Sequence, residues 1–161
     1  IALKSSTNPS VIALSRQKIP FITETLNKKN MSSMGGYELK KTNANPEITL
    51  IASGSEVHIA LEALNKLKAL NINSKVVSMP CQELFDKQSE SFKKDILDED
   101  TLIVTIEAGS VSSWKKYSAN KGINFGIDRF GESAPYKKIY EHFNLSIDKI
   151  VNTIQEELRK K

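Results

Sequence analysis

The chain has 161 residues, of which 39% are hydrophobic and 26% are charged, a composition typical of one globular domain. The net charge of +4 is small and its lysines are scattered, which argues against a nucleic-acid partner. No apolar run reaches the ~20 residues of a membrane span, and we expect no membrane partner. The single cysteine, Cys81, permits no intrachain disulfide and is typical of a reducing compartment, so we expect a cytoplasmic location.

The first segment, residues 1–26, ends in a strand pattern followed by an arginine. The apolar run Val11-Ile12-Ala13-Leu14 predicts a buried strand, and Arg16 follows it in a polar turn. Ligands of open α/β sheets bind at the carboxyl ends of strands, where a guanidinium offers a fork of donors suited to phosphate. On spacing alone, an ion pair between Arg16 and a nearby carboxylate is the alternative. The absence of an initiator Met before Ile1 predicts a piece of a longer protein.

Residues 27–46 are polar and rich in turn formers. Asparagine, serine, glycine and proline dominate this stretch, which predicts a linker between domains. Within it, Gly35-Gly36-Tyr37-Glu38-Leu39 is compatible with a short strand.

From residue 47 to residue 161, apolar strands alternate with helical patterns. Four strands are predicted, and helices with apolar residues three or four apart follow them. The strands are Ile48–Ala52, Lys75–Ser78, Thr101–Ile106 and Ile123–Ile127. This alternation predicts an α/β fold with a mainly parallel sheet and helices on both faces, and residues 1–26 before it are a remnant of another α/β domain.

Three loops after predicted strands are the remaining site candidates. Ser53-Gly54-Ser55-Glu56 has the spacing of a capping box at a helix start. The alternative is a phosphate-binding turn at the helix N-terminus, although the known phosphate-binding fingerprints contain more glycines. Glu107 is either a general base or, at a helix start, an acceptor for backbone, Trp or Tyr donors. Asp128 and Arg129 either pair in a rigid corner or subunit contact, or belong to an active-site loop, and Gly131 permits an unusual backbone conformation there.

The residues themselves define no active centre. Two histidines and one cysteine are too few for a structural zinc cluster, and neither a Ser/His/Asp set nor paired catalytic carboxylates emerge. We therefore assign no catalytic, cofactor-binding or metal-ligating residue in this chain.

Six blocks in order resemble transketolase and extend over nearly the whole chain. They are PSVIALSRQKIP (9–20), GGYEL (35–39), ITLIASGSEVHIALEAL (48–64), KVVSMPCQELFDKQ (75–88), VTIEAGSVSSWKKY (104–117) and FGIDRFGESAP (125–135). The resemblance implies the end of the pyrimidine-binding domain at 1–26, a linker at 27–46 and the C-terminal domain at 47–161. It also implies that Arg16, the arginine of the LSRQ motif, binds the substrate phosphate.

The resemblance further implies an enzyme that moves a two-carbon ketol unit between sugar phosphates in the pentose phosphate pathway. Thiamine diphosphate and Mg²⁺ or Ca²⁺ are its cofactors, the intact protein is a homodimer, and the cofactor motifs lie upstream of this sequence. The 161 residues alone are then expected to bind no cofactor and to be inactive. The alternatives are a non-catalytic interaction or regulatory module and a sister thiamine-diphosphate enzyme.

Overall fold

A computed structural model describes residues 1–5, 7–15, 18–22, 30–119 and 121–160 of the chain. The strands are β1 (Tyr37–Lys41), β2 (Ile48–Ala52), β3 (Ser74–Ser78), β4 (Leu102–Ile106) and β5 (Ile123–Phe125). The helices are α1 (Glu56–Ala69), α2 (Gln82–Asp86), α3 (Glu90–Leu97), α4 (Lys115–Ser118), α5 (Tyr136–His142) and α6 (Ile147–Leu158). Short 3₁₀ turns span Ala2–Lys4 and Met31–Met34.

The five strands form one sheet in the order β1-β3-β2-β4-β5. The four strands from β2 to β5 are parallel, and only β1 runs antiparallel, against β3. In the centre, Ile48 of β2 is paired with Ser74 on one side and with Leu102 on the other. Every residue of β2, β3 and β4 is buried, as expected for parallel strands that are covered on both faces.

Alternate side chains along the central strands point to two separate apolar layers. Leu50 and Val104 pack on one face, in a cluster with α1, α6 and the end of α5. Ile51 and Ile103 pack on the opposite face, in a cluster with Phe85 and residues of α3 and α4. Helices therefore cover both faces, and the predicted mainly parallel α/β fold is confirmed.

The strand predicted at Val11–Leu14 is wrong in the described structure. Residues 11–15 have no regular secondary structure, and Val11, Ile12 and Leu14 are 96%, 70% and 87% exposed. No described strand pairs with this run, so its backbone has no ladder to join. The apolar pattern is present, but the neighbours that turn such a pattern into a buried strand are not among the described residues.

Strand β1 lies within the segment predicted as a linker. Leu39 is buried against the first apolar layer, and the predicted GGYEL strand exists, two residues further along the chain. The division of the chain into residues 1–26, 27–46 and 47–161 stays a prediction.

Helix α3 lies in a stretch described in sequence terms only as polar. Ser89 caps its first turn, because the Ser89 hydroxyl accepts a hydrogen bond from the Phe92 N–H at 3.3 Å. At the other end of α3, the buried Lys75 amine of β3 donates to the carbonyl of Asp95 in the last turn at 3.3 Å and lies 3.7 Å from Asp98, which follows the helix. Burial lowers the pKa of Lys75, which Asp98 partly offsets. The Ser89 cap thus fixes where α3 begins, while Lys75 and the apolar contacts of Phe92, Ile96 and Leu97 hold the helix on the sheet.

No helix in the described parts of the chain is long and apolar enough to cross a membrane.

Candidate functional site at the carboxyl edge of the sheet

Arg16 and Gln17 lie outside the described residues, so the phosphate-binding role of Arg16 stays a prediction. Ser15, which precedes them, is exposed and follows the exposed run Val11–Leu14.

The three candidate loops come together at the carboxyl edge of the sheet. They follow β2, β4 and β5, which are neighbours in the sheet. The chain leaves β2 for β3 on one side and later returns to β4 on the other, so β2 and β4 flank the point where the winding reverses. In open α/β sheets this crevice is where ligands bind.

Glu56 opens α1 but does not take part in a capping box. Its backbone N–H donates to the Ser53 carbonyl at 3.0 Å, while the Ser55 side chain at the N-cap position makes no capping hydrogen bond. The Glu56 carboxylate instead is buried and accepts hydrogen bonds from Ser55 Oγ at 2.7 Å and from the Tyr140 hydroxyl at 2.6 Å. The capping-box prediction is therefore wrong, because this carboxylate ties α1 to α5.

Glu107 follows β4 and accepts a hydrogen bond from Trp114, one of the two roles predicted for it. Burial, and after it the negative charge of Glu56, raise the pKa of Glu107 to about 7, against the opposing effect of the Trp114 hydrogen bond. Two carboxylates that no motif links are thus electrostatic neighbours. The signal in the sequence is that each follows a strand, and adjacency of β2 and β4 is what brings them together.

No metal-ligating group accompanies the Glu56–Glu107 pair in the described structure. Among the described residues there is no group of three or more His, Cys, Asp or Glu side chains that could hold a metal ion. The raised pKa of Glu107 follows from its burial and from Glu56, and we assign this pair no reaction.

The loop after β5 is a rigid corner anchored to the loop after β4. The Ile127 N–H donates to the Gly109 carbonyl at 2.7 Å, and Asp128 Oδ1 accepts from Ser110 Oγ at 2.8 Å and from the Val111 N–H at 3.0 Å. The Ser110 hydroxyl and the Val111 N–H lower the pKa of Asp128, so it stays a carboxylate. Of the predicted alternatives, this geometry supports a rigid corner rather than an active-site loop.

Two details of that corner differ from the prediction. Asp128 does not pair with Arg129, whose guanidinium contacts His142 instead. Gly131 has no left-handed backbone conformation and faces open space.

The remaining reactive side chains are dispersed. Cys81 is half-buried at the N-cap position of α2, with its Sγ 3.4 Å from Glu83 Oε2. His58 lies half-buried on α1, and its buried Nδ1 has no hydrogen-bond partner among the described residues.

The architecture defines the class of the protein as a doubly wound α/β domain with an antiparallel edge strand. Residues 35–146, more than half of the chain, match the family described as the transketolase-like C-terminal domain. The chain is 38% identical to the transketolase of Sinorhizobium medicae over 161 residues, which cover 99% of this chain and 23% of that protein. It is likewise 38% identical to the transketolase of Bacillus subtilis, over 99% of this chain and 24% of that protein.

The solved structures lead to the same assignment. The transketolase from Leishmania mexicana superposes with a TM-score of 0.73 and 32% identity, over 81% of this chain and 19% of that chain. This chain therefore belongs to the transketolase family. It spans about a quarter of the length of the curated relatives it matches.

Proposed function

We propose that this chain is the C-terminal part of a transketolase that transfers a two-carbon ketol unit between sugar phosphates. In this proposal residues 1–26 end the pyrimidine-binding domain and residues 47–161 form the C-terminal domain, joined by the linker at 27–46. The whole protein acts as a cytoplasmic homodimer, with thiamine diphosphate and Mg²⁺ or Ca²⁺ held by domains upstream of this sequence.

The observation that carries the proposal is the end-to-end match to transketolases. The similarity extends over 99% of the chain, well beyond the C-terminal-domain family match at residues 35–146. The first 34 residues therefore belong to the same alignment, and they contain the LSRQ segment. A free-standing docking domain has no need of a phosphate-binding arginine before its first strand.

The described residues do not fit a thiamine-diphosphate site. They contain no group of three metal-ligating side chains. The Glu56 and Glu107 carboxylates accept hydrogen bonds from Tyr140 and Trp114, respectively. We therefore derive no step through the cofactor from this chain. Its proposed contribution to the reaction is limited to the substrate phosphate at Arg16.

The test is a ketol-transfer assay on the full-length protein that contains this chain. With thiamine diphosphate, Mg²⁺, xylulose 5-phosphate and ribose 5-phosphate, we expect turnover by the whole protein and none by the 161 residues alone. A folded, cofactor-loaded protein without turnover would contradict the proposal in favour of a sister enzyme or a binding module.

The Arg16→Ala variant tests the residue assignment in the same protein. A charged hydrogen bond is worth about 1.5–3 kcal/mol, so kcat/KM for phosphorylated sugars should fall about ten- to a hundredfold. Cofactor binding should not change, and Arg16→Lys should recover part of the loss, because it keeps the charge without the fork. An unchanged preference for phosphorylated over unphosphorylated sugars would show that Arg16 does not bind the phosphate.

A further inference from the structure

A cleft of about 380 Å³ opens beside the loop after β5, and neither Glu56 nor Glu107 lines it. The loop after β5 forms one wall and the end of α5 forms the other. Its lining includes Ile127, Asp128, Arg129, His142, Phe143 and Asn144. The first of these walls is fixed, because Ile127 and Asp128 are hydrogen-bonded to the loop after β4.

The guanidinium of Arg129 is held in this cleft by two side chains of the opposite wall. Its central carbon lies 4.8 Å from the centre of the Phe143 ring, a cation–π contact. Its Nη2 lies 2.5 Å from His142 Nε2. An arginine that is stacked and hydrogen-bonded loses less conformational freedom when it binds a ligand than one that is free in solvent.

The charge of Arg129 is not compensated by a carboxylate in the described structure. No Asp or Glu oxygen among the described residues lies within 4.0 Å of it, although such pairs are present for six lysines. Asp128 lines the same cleft, but its Oδ1 is occupied by Ser110 and Val111. The cleft thus holds one carboxylate that is bonded to the loop after β4 and one guanidinium that is not paired with it, and an anion at the guanidinium would supply the paired charge that Asp128 does not.

The carbonyls at the end of α5 accept no hydrogen bond from the Arg129 guanidinium in the described structure. Ile139, Tyr140 and Glu141 carbonyls accept backbone hydrogen bonds from the N–H groups of Phe143, Leu145 and Asn144. Within the described structure, the only side-chain hydrogen bond of Arg129 is the one to His142. Most of its five N–H donors therefore face the cleft or solvent.

We propose that this cleft binds a phosphate group, either as the free ion or as a phosphate monoester, with Arg129 as the principal ligand. The planar guanidinium gives two parallel N–H donors to two phosphate oxygens, an arrangement that a lysine does not reproduce. His142 Nε2 accepts from the Arg129 guanidinium, so the imidazole positions this arginine rather than donating to the anion itself. All the lining residues of this cleft lie between positions 126 and 144 of the described structure.

The test is a ¹H–¹⁵N NMR titration of the 161-residue chain with inorganic phosphate and, separately, with ribose 5-phosphate. Potassium chloride at matched ionic strength is the reference. We expect saturable shifts of the Ile127, Arg129 and Asn144 amides with phosphate and not with chloride. Arg129→Gln should weaken binding about tenfold or more, and Arg129→Lys should weaken it less.

Arg159→Gln is the matched control, because it removes the same charge from an exposed position after α6. This variant should bind phosphate as the wild type does. His142→Gln should weaken binding by a smaller factor than Arg129→Gln, and it provides a second test if Arg129→Gln does not fold. Binding of ribose 5-phosphate as tight as that of inorganic phosphate identifies a monoester site, and binding of inorganic phosphate alone identifies a site for the free ion.

Equal shifts with phosphate and with chloride would overturn the proposal. So would equal phosphate affinity in folded Arg129→Gln and Arg159→Gln. In either case Arg129 is a structural clamp between the β5 loop and α5, and its replacement would lower thermal stability alone.

Discussion

Two apolar runs of similar length have opposite fates in this chain. Val11–Leu14 is exposed and irregular, whereas every residue of β2, Ile48–Ala52, is buried. The two runs are comparable in hydrophobicity, so side-chain chemistry does not explain the difference. β2 has hydrogen-bonded strands on both sides and apolar layers on both faces, and the described structure offers neither to Val11–Leu14. A strand pattern is thus realised only where neighbouring strands accept it.

The largest effect on stability is expected from a substitution at Gly35, just before β1. Gly35 has φ +81°, and an added Cβ would lie 2.1 Å from the Phe85 nitrogen and 2.5 Å from the Cys81 carbonyl oxygen. Gly35→Ala combines left-handed strain with a backbone clash, so we expect it to reduce the free energy of unfolding by about 4 kcal/mol or more. Urea denaturation followed by circular dichroism measures this.

Gly131→Ala is the control for that substitution, because an added Cβ at Gly131 meets nothing within 4 Å. Its free energy of unfolding should stay within about 0.5 kcal/mol of the wild type. If both alanine variants are equally stable, then Gly35 is not packed against α2 as described.

The second prediction tests the two apolar runs directly. Leu50 is fully buried, and Leu50→Ala should cost about 3 kcal/mol through lost transfer energy and the cavity it leaves. Leu14 is 87% exposed, and Leu14→Ala in the same chain should change stability by less than about 0.5 kcal/mol. Equal losses in chemical denaturation would show that Val11–Leu14 is packed after all.

Repeating the Leu14→Ala measurement in the full-length protein sharpens the comparison. If residues 1–26 end a pyrimidine-binding domain, as we propose, neighbouring strands are present there and the substitution should cost about 2 kcal/mol. An effect as small as in the 161-residue chain would contradict that domain assignment.

The smallest expected effect is the pH dependence that Glu107, at the end of β4, gives to the free energy of unfolding. The folded protein raises the pKa of Glu107 from 4.5 to about 7, so folding favours its protonated form. The stability that this preference contributes is fully present below about pH 4.5 and is lost as pH rises through about 7. One pKa unit corresponds to about 1.4 kcal/mol, and with partial solvent screening we expect a loss of about 1–2 kcal/mol.

Glu107→Gln isolates this contribution, because an amide oxygen still accepts the Trp114 hydrogen bond but does not titrate. The difference in free energy of unfolding between wild type and Glu107→Gln should change between about pH 4.5 and pH 7 and be flat on either side. A difference that is constant over the whole range would mean that Glu107 titrates normally in the folded protein.

Much of the fold is predictable from the sequence because its signals are local. β2 and β4 are mostly apolar runs of β-branched residues and leucine, β3 is marked by Val76-Val77, and α1 and α6 have apolar residues three or four apart. Such patterns indicate both the element and the faces it buries, and their alternation indicates a parallel sheet. Helix α3 has a weaker signal, because among its described residues Phe92, Ile96 and Leu97 alone pack on the core, although its Ser89 cap is a recognisable start signal.

The candidate sites were less predictable, because they depend on which loops become neighbours. Glu56 and Glu107 are 51 positions apart, and only the pairing of β2 with β4 brings their charges together. Arg129 and His142 belong to a loop and a helix whose contact no spacing rule anticipates. The Ser53–Glu56 spacing predicts a capping box, but the Glu56 carboxylate instead accepts a hydrogen bond from Tyr140 of α5.

The sequence by itself determined the class of fold, the positions of the central strands and long helices, and the membership of the transketolase family. These depend on hydrophobic periodicity and on ordered motifs, both of which are properties of neighbouring residues along the chain. The tertiary structure alone decided that Val11–Leu14 is exposed, that the pKa of Glu107 is raised to about 7, and that Arg129 contacts His142 and, among the described residues, no carboxylate. Each of these depends on burial and charge contributed by distant segments, which only the folded chain brings together.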